Sequence, residues 1–495
     1  MVINRNIKNE LIESFTNKEY EKVKFEILNH LKTIPHDIFL LKLLGMTYLN
    51  LKSPDKAINA YKKAIDLAPK DAEVNNNYGF VLSKQGNYKK AEFYFKNAIK
   101  FKNDYLQAKI NLIDLYTKNK RYQDAEKLLR LTISQNLNSL NLHYNLALIL
   151  NKLGKFDEAI DIYKKLISLK PNSPIFFNNL GNLNKLKGNI QDALTNYNKA
   201  IKLNPNIPET YNNLANIQVM LGKLNEAVTN YSKAIKLNPN FIKAHTNLGK
   251  AFIKKGEHKE AKHIYLNTLK IDKNCLEAQH MINALNGNKE TSISNEYVKN
   301  LFNDYANTFD KSLIEDLNYS GPELLKKTIL NHTSNNSLGK VLDLGCGTGL
   351  MGQKIIDYCE YLEGVDISDL MLKKAKTRKI YNKLINKDII TYLEKDVLNF
   401  DYFIFADVFV YIGDLNKIFD LIKRRNISSG KLLFTTEHNF SEDYKLETTG
   451  RFSHSKNYIE NLSEKFGYEL CYFNKAIIRK EDTKDVNGAI YLLKF

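Results

Sequence analysis

Three glycines spaced two residues apart follow a short apolar run, and their spacing gives the clearest indication of chemistry in this 495-residue chain. The run at 341–344 leads directly into Gly345, Gly347 and Gly349. Residues that lack a Cβ let a backbone bend sharply and approach a ligand closely. The dinucleotide-binding pattern G-x-G-x-x-G needs a further glycine where this chain has Leu350. The turn therefore predicts a ligand site that differs from the dinucleotide type.

An acid follows the next predicted strand. The strand at 361–365 runs into Asp366. In doubly wound folds, an acid at the end of the second strand accepts hydrogen bonds from ribose hydroxyls. The turn and the acid together favour a cofactor that carries a ribose. The alternative is a tight turn in an α/β protein that binds nothing.

The glycine turn, with Asp343 two residues before its first glycine, resembles motif I of class I S-adenosylmethionine-dependent methyltransferases. The resemblance implies that the turn approaches the methionine and ribose of this cofactor and that Asp366 holds the ribose. Met371 would form an apolar wall for the adenine. Asp388 stands in the place of the acid that receives the adenine amino group, and a helix N-cap is its alternative role. The implied cofactor contacts are Tyr305, Asp343, Gly345, Gly347, Gly349, Asp366, Ile367, Met371, Asp388 and Asp407.

The acceptor side of the predicted cleft offers fewer candidates. Methyl transfer requires alignment of the acceptor and, for some acceptors, removal of a proton. Tyr411 and His454 are the predicted catalytic residues, because both lie on segments that would cap the cleft. A histidine has a pKa suited to a general base near neutrality, while a structural hydrogen bond is the alternative role for His454. The N-P-P-Y and D-P-P-Y sequences of methyltransferases that act on amino groups of bases or glutamine do not occur.

These residues need a sheet that brings strand ends together. Apolar runs predict strands near 340–344, 361–366, 383–387, 402–407, 430–436, 468–475 and 488–494. Helical segments between the first five strands predict an α/β doubly wound, Rossmann-like domain with a seven-stranded, mostly parallel sheet. The last two strands would form an antiparallel edge hairpin. Ligands in such sheets bind beyond the carboxyl ends of the strands.

Further segments resemble predicted methyltransferases that carry tetratricopeptide repeats. The resemblance extends over about 200 residues and includes the segments at 302–310, 320–325, 406–415 and 450–455. It implies a methyltransferase domain at 297–495. A polar linker is predicted at 287–296, where the periodicity of the preceding residues breaks.

A 34-residue period fills the chain before this linker. Small residues recur at Gly45, Gly79, Ile113, Ala147, Gly181, Ala215 and Gly249, with one larger exception, and a mostly aromatic series recurs at Tyr61, Phe95, Leu129, Tyr163, Tyr197, Tyr231 and Tyr265. This resembles the tetratricopeptide repeat, in which each unit buries its face against its neighbours. Residues 4–37 form a degenerate eighth unit and residues 276–285 a capping helix, so an α-solenoid is predicted over 4–286.

An asparagine ladder runs through these repeats, two residues before each of the last six positions in the series from Gly45 to Gly249. In the repeat pattern this position lies on the first helix of each pair, on the concave side. The ladder resembles that of O-GlcNAc transferase, which grips an extended peptide by its backbone, and a carboxamide offers both a donor and an acceptor. Coincidence in an asparagine-rich chain is the alternative. The predicted peptide-binding residues are Asn77, Asn111, Asn145, Asn179, Asn213 and Asn247.

Charge separates the two parts of the chain. Residues 1–290 contain 45 basic and 26 acidic residues, whereas residues 291–495 contain 28 and 29. The lysines are spread over every repeat, so we expect a bias toward acidic partners and do not favour nucleic acid. Four scattered cysteines indicate neither disulfides nor a metal site. No apolar run is long enough for a membrane helix and the start lacks a signal-peptide pattern, so a cytoplasmic location is expected.

The sequence thus favours an S-adenosylmethionine-dependent methyltransferase whose repeats recruit a protein or peptide. One alternative is a small-molecule methyltransferase whose repeats serve assembly. Another is a non-enzymatic interaction scaffold with a vestigial cofactor domain. The intact glycine turn and the acids Asp343 and Asp366 argue against the scaffold.

Overall fold

The computed structural model describes residues 3–288, 290–306, 309–333, 337–394, 397–481 and 484–495. The chain forms two compact units, Met1–Leu203 and Asn204–Phe495. The division falls within the repeats, so the last repeats belong to the same unit as the sheet. We propose that the helical repeats extend over 4–286 and that residues 287–296 link them to the domain at 297–495.

Helix pairs make up the first unit over its described residues. A Cβ on Gly45 would lie 2.5 Å from the ring of Tyr61, and a Cβ on Gly181 would lie 2.7 Å from the ring of Tyr197. The small residue on the first helix therefore leaves room for the aromatic ring of the second helix. This contact explains why the small-residue series and the aromatic series recur together with the same period. The helices are α1 Arg5–Thr16, α2 Tyr20–Thr33, α3 Ile38–Asn50, α4 Pro54–Leu67, α5 Ala72–Lys84, α6 Tyr88–Phe101, α7 Leu106–Lys118, α8 Tyr122–Gln135, α9 Leu140–Lys152, α10 Phe156–Leu169, α11 Pro174–Lys187 and α12 Ile190–Leu203.

The second unit begins with further helices of the same kind. They are α13 Pro208–Met220, α14 Leu224–Leu237, α15 Ile242–Lys255, α16 His258–Ile271 and α17 Leu276–Asn286. Helix α17 packs on the region that follows: His280 donates from Nε2 to the carbonyl oxygen of Gly450 at 2.8 Å. The carbonyl oxygen of Thr291 accepts from the backbone N–H groups of Gly413 and Asp414 at 2.9 and 2.8 Å. The segment after α17 is thus hydrogen-bonded to the loop that follows the fourth strand.

An α/β domain completes the second unit. Its elements are α18 Asn295–Tyr305, α19 Phe309–Lys311, α20 Gly321–Asn331, β1 Gly339–Leu344, α21 Leu350–Ile355, β2 Cys359–Asp366, α22 Asp369–Arg378, β3 Lys383–Asn386, α23 Ile389–Leu393, β4 Tyr402–Phe405, α24 Asn416–Arg425, β5 Lys431–Asn439, β6 Tyr444–Leu446, β7 Phe452–Ser455, α25 Lys456–Phe466, β8 Glu469–Glu481 and β9 Lys484–Lys494. A π-helical turn spans Ser312–Asp316, and 3-10 turns span Ile356–Tyr358 and Phe409–Tyr411.

The sheet confirms the predicted fold class. Its order runs β3-β2-β1-β4-β5, and every neighbouring pair in this series is parallel. Strand β9 pairs antiparallel with both β5 and β8, which forms the predicted edge hairpin. Successive residues Val341 and Leu342 point into separate apolar cores, so helices cover both faces of the sheet.

The strand number differs from the prediction. The described residues form nine strands instead of seven, because β6 and β7 also join the sheet. These strands have three and four residues, which is too short to show a period of two in the sequence. None of the helices in the described ranges combines the length and apolar character needed to traverse a lipid bilayer.

Candidate functional site

The glycine turn connects β1 to α21 at the carboxyl end of the sheet. Gly345, Gly347 and Gly349 have φ angles of +75°, +55° and +89°, which lie in the left-handed region that favours glycine. The backbone N–H groups of Gly345 and Cys346 donate to the carbonyl oxygen of Val365 at 2.8 and 3.1 Å. The turn therefore folds across the end of β2.

The three glycines differ in what surrounds them. A Cβ on Gly345 would lie 2.5 Å from Cγ2 of Val408, and one on Gly349 would lie 3.0 Å from the ring of Tyr381. At Gly347 the nearest atom is in the ring of Phe309, at 3.7 Å. Gly345 and Gly349 thus admit close packing of the protein itself. Gly347 faces the most open space of the three and is the position that a ligand could approach.

Asp366 lies directly beside this open position. Its carboxylate accepts from the N–H of Gly347 at 2.9 Å and from the N–H of Ser368 at 2.7 Å. Burial raises the pKa of Asp366 to about 6, while the backbone donors act in the opposite direction. Each carboxylate oxygen accepts one of these bonds and has lone-pair capacity for another donor.

Asp343 has a different environment. Its side chain is almost fully buried, with 1% of the residue exposed. The hydroxyl of Tyr381 donates to its Oδ2 at 2.6 Å. Burial raises the pKa of Asp343 to about 7. In this structure Asp343 supports the turn from beneath, through the tyrosine that packs against Gly349.

The segment from α18 to α19 lies against the turn. Asn303 accepts a hydrogen bond from the Ser368 hydroxyl at 2.7 Å. Asp310 accepts one from the Thr348 hydroxyl and forms an ion pair with Arg378 at 2.5 Å. No local sequence pattern indicates this connection, because Asp310 and Arg378 are 68 positions apart.

Four other predicted cofactor contacts follow β2 and β3 or lie on α18. Met371 is fully buried in α22, and Ile367 is half-buried just after β2. Asp388 accepts a hydrogen bond from the N–H of Thr391 at 3.0 Å and so caps α23, as the alternative interpretation expected. Tyr305 is 48% exposed on α18.

Asp407 belongs to an ionic cluster that sequence reasoning missed. Nη1 of Arg479 lies 2.8 and 2.9 Å from the two carboxylate oxygens of Asp407. Nη2 of Arg479 donates to Glu437, and Nη1 of Arg451 lies 3.7 Å from the same glutamate. The side chain of Arg479 is 1% exposed. These residues come from four separate strands or strand ends, so no local pattern could have indicated the cluster.

The predicted catalytic residues do not share one surface. His454 is fully buried on β7, donates from Nε2 to the carbonyl oxygen of Gly413 at 3.0 Å, and stacks on Tyr458. Burial lowers the pKa of His454 to about 4. A base must reach the proton that it removes, so this environment favours the structural role. Tyr411 lies in the 3-10 turn after β4, with its ring 5.3 Å from that of Phe302, and burial raises its pKa.

The asparagine ladder lies on the first helix of each pair, and its members are half-buried. In the first unit, the amide of Asn111 donates to Asn76 at 2.9 Å, and that of Asn179 donates to the hydroxyls of Tyr144 and Tyr163 at 3.3 and 3.1 Å. The side chain of Asn145 makes no hydrogen bond within the described residues. Some ladder amides therefore join neighbouring repeats.

In the second unit the same arrangement recurs. The amide of Asn247 donates to Asn212 at 3.0 Å and to Asn216 at 3.2 Å. Both of its hydrogens are thus engaged, and its carbonyl oxygen has no partner in the part of the chain that the structure describes. The expectation that every ladder residue offers both a donor and an acceptor is wrong for Asn247 and for Asn179. Asn77 and Asn213 occupy the equivalent positions on α5 and α13.

Family comparisons agree with both parts of the fold. A family described as methyltransferase domain matches residues 335–484. Families described as TPR repeat or tetratricopeptide repeat match residues 47–86, 82–144, 147–188, 184–222, 216–256 and 242–275. The chain combines tetratricopeptide repeats with a methyltransferase domain. The glycine turn, Asp366 and the ionic cluster all lie in the methyltransferase domain.

Individual relatives match the repeats. Tetratricopeptide repeat protein 21B of Mus musculus is 41% identical over 58 residues, which are 12% of this chain and 4% of that protein. YrrB, described as a TPR protein with an unusual peptide-binding site, is 19% identical and covers 38% of this chain and 96% of its own, with a TM-score of 0.32. A tetratricopeptide repeat protein from Parabacteroides merdae is 18% identical and covers 50% and 98%, with a TM-score of 0.39. TM-scores this low support no statement about function.

Proposed function

We propose that this protein is an S-adenosylmethionine-dependent methyltransferase whose repeats recruit a protein or peptide. The observation that carries the proposal is the pairing of Asp366 with Gly347 beside the carboxyl ends of strands β1 and β2 in the methyltransferase domain. The carboxylate and the open glycine lie side by side, with a 2.9 Å hydrogen bond between them. A ribose needs acceptors for its hydroxyls, and the chain beside it needs a residue without Cβ.

The residues around the turn fit this cofactor. Asp366 would accept from the ribose hydroxyls, and the Gly345–Gly349 backbone would hold the methionine portion. Ile367, Met371 and Asp388 follow β2 and β3, where the adenine would lie, and Asp343 supports the turn from below. Tyr305, which is exposed on α18, would contact the cofactor from that helix. When bound, the cofactor supplies a methyl group on a sulfonium, which bonds to the acceptor's lone pair as the carbon–sulfur bond breaks and sulfur keeps its electrons.

Cofactor binding should depend on pH through Asp366. The ionised carboxylate is the form that accepts hydroxyl hydrogen bonds at both oxygens. Because the pKa of Asp366 in the free protein is about 6, we expect affinity to be constant above that pH. Below it, affinity should fall by about tenfold per pH unit as the carboxyl takes up a proton.

The repeats are proposed to bind an extended, acidic protein or peptide. Asn145 can offer both its amide and its carbonyl oxygen to a peptide backbone, whereas Asn247 can offer only its carbonyl oxygen. The surplus of 45 basic over 26 acidic residues in 1–290 favours an acidic partner over a basic one. We also propose a cytoplasmic location, because four scattered cysteines are typical of a compartment that keeps thiols reduced.

Labelled cofactor added to a lysate tests the enzymatic part. Lysate from cells that lack this protein is incubated with purified full-length chain and cofactor that carries a labelled methyl group. We expect label to enter protein with the wild-type chain and not with Asp366→Ala. If label enters only small molecules, the alternative of a small-molecule methyltransferase whose repeats serve assembly is favoured. Equal labelling with and without the chain would contradict methyltransferase activity.

A paired substitution tests the role of the ladder. Full-length protein is titrated with a pool of unstructured acidic peptides. Asn145→Ala is expected to weaken binding, because its side chain has no partner within the described repeats. Asn196→Ala is the matched control, since Asn196 is half-buried on a second helix and its amide donates to the carbonyl oxygen of Asp192. Unchanged peptide affinity in Asn145→Ala would contradict the proposal that the ladder binds peptide.

A further inference from the structure

Two carboxylates stand on the side of the glycine turn away from Asp366. Asp407 follows β4 and Glu437 lies on β5, next to each other in the sheet. Strand β4 pairs with β1, and the side chain of Val408 packs directly against Gly345. The strand order reverses between β1 and β4, which is where doubly wound sheets bind their ligands. Since the turn and Asp366 occupy the β1–β2 half of this crevice, Asp407 and Glu437 line the other half.

A single guanidinium holds both acids. Arg479 reaches them from β8, with one nitrogen 2.8 and 2.9 Å from the oxygens of Asp407 and the other bonded to Glu437. The arginine is buried, so it does not itself face a ligand. Two neighbouring carboxylates repel each other, and a buried guanidinium is stable only when paired. The arrangement therefore holds both carboxylates in one orientation.

The backbone of Asp407 has a strained conformation. Its φ of +60° lies in the left-handed region, which a non-glycine residue occupies only when its surroundings compensate the strain. The compensation here is the ion pair with Arg479 and a hydrogen bond from the N–H of Asp407 to the Thr435 hydroxyl at 2.9 Å. Such strain concentrates at functional sites.

The exposed parts of the cluster accept hydrogen bonds. The side chains of Asp407 and Glu437 are 22% and 13% exposed, against 1% for Arg479. An ionised carboxylate can only accept. Other groups nearby are Arg451, whose charge partly offsets Glu437, and the Tyr319 and Tyr411 hydroxyls, whose pKa values burial raises. A ligand that contacts the two carboxylates must bring N–H or O–H groups.

We infer that Arg479 is a positioning residue, which holds Asp407 and Glu437 as hydrogen-bond acceptors for the N–H or O–H group of the methyl acceptor. The substrate class is then an amine or a hydroxyl compound and not a carboxylate or phosphate. This inference rests on the proposed function, since it assigns the acceptor half of the same site.

Two cofactor analogues test the inference without knowledge of the acceptor. S-adenosylhomocysteine has no group at the methyl position, whereas sinefungin carries an amine there. Both are titrated into full-length protein by calorimetry. We expect the wild-type chain to bind sinefungin about tenfold more tightly, because the amine donates to a carboxylate. Asp407→Asn and Glu437→Gln should each reduce this preference, and Glu437→Gln should leave the affinity for S-adenosylhomocysteine unchanged.

Arginine variants test the positioning role. Arg479→Met should abolish the sinefungin preference, and Arg479→Lys should restore part of it, since lysine carries the charge but cannot bridge two carboxylates with a planar group. Arg424→Met and Asp420→Asn are matched controls from an exposed pair on α24 and should change nothing. If Arg479→Met does not fold, the Asp407 and Glu437 variants still decide the matter.

The outcomes separate this inference from the proposed function. Wild-type protein that binds both analogues equally, or a sinefungin preference that survives in Asp407→Asn and Glu437→Gln, overturns the inference and leaves the proposed function intact. Wild-type protein that binds neither analogue overturns both.

Discussion

Replacing Asp343 by asparagine is expected to remove much of the pH dependence of the sheet's local stability. The wild-type carboxyl is 1% exposed, accepts from the Tyr381 hydroxyl, and has its pKa raised by burial to about 7. The corresponding pKa in an unfolded chain is about 4. Asparagine has nearly the same shape, can accept the tyrosine hydrogen bond and does not ionise.

The magnitude follows from the two pKa values of Asp343. Below about pH 4 the carboxyl is protonated in both states, and folding is insensitive to it. Between about pH 4 and 7 only the unfolded chain ionises, so the folded state loses about 1.4 kcal/mol per pH unit, and above about 7 the loss stops. From pH 5 to 7 the wild-type protein should therefore lose about 3 kcal/mol that the variant keeps. His454 also titrates, but its contribution cancels in the difference between the two proteins. The charge of Asp366 is one cause of the raised pKa of Asp343, so its effect is part of that difference.

Hydrogen exchange followed by mass spectrometry measures this difference. Peptides that cover β1 and β2 are compared at pH 5, 6, 7 and 8, after correction for intrinsic exchange rates. Asp420→Asn, on the surface of α24, is the control and should follow the wild-type protein. A wild-type chain and an Asp343→Asn variant with the same pH slope would show that Asp343 is not a buried, largely neutral acid below its pKa.

Two further substitutions test the packing. Gly181→Val adds atoms where a Cβ would already lie 2.7 Å from the ring of Tyr197, and it should lower the free energy of unfolding by about 1–3 kcal/mol. Thermal unfolding checks this, with Gly86→Asn as the control, because that left-handed turn has open space around it and asparagine tolerates such a φ. His280→Ala removes the 2.8 Å hydrogen bond to Gly450 and should speed hydrogen exchange at 447–452. Unchanged exchange there would contradict a stabilising contact from α17.

The features that could be predicted from the sequence are those encoded by local period or local turn chemistry. The repeats follow from small residues such as Gly45 placed 16 positions before an aromatic ring such as Tyr61, since both act within one helix pair. The strands around the glycine turn follow from short apolar runs that end in glycine or aspartate. In these cases the sequence neighbours of a residue are also its structural partners.

Other features depend on residues far apart in the chain. Arg479 and Asp407 are 72 positions apart, and Tyr381 and Asp343 are 38 apart, so neither pair leaves a local pattern. The sequence predicts that His454 lies on a segment that caps the cleft, but the short strand β7 buries it against Tyr458. Because His454 is buried, it has a structural role and cannot reach a proton on a substrate, and only the tertiary structure reveals this burial.

Binding of S-adenosylhomocysteine to the full-length chain, measured by calorimetry at pH 7.5, tests the central claim most directly. We expect the wild-type protein to bind and Asp366→Ala to bind at least tenfold more weakly, through loss of the charge-assisted hydrogen bonds to the ribose. Asp343→Asn should bind like the wild-type protein, because its side chain lies beneath the turn. Absence of binding to the wild-type chain, or equal binding by Asp366→Ala, would contradict the assignment of this turn as a cofactor site.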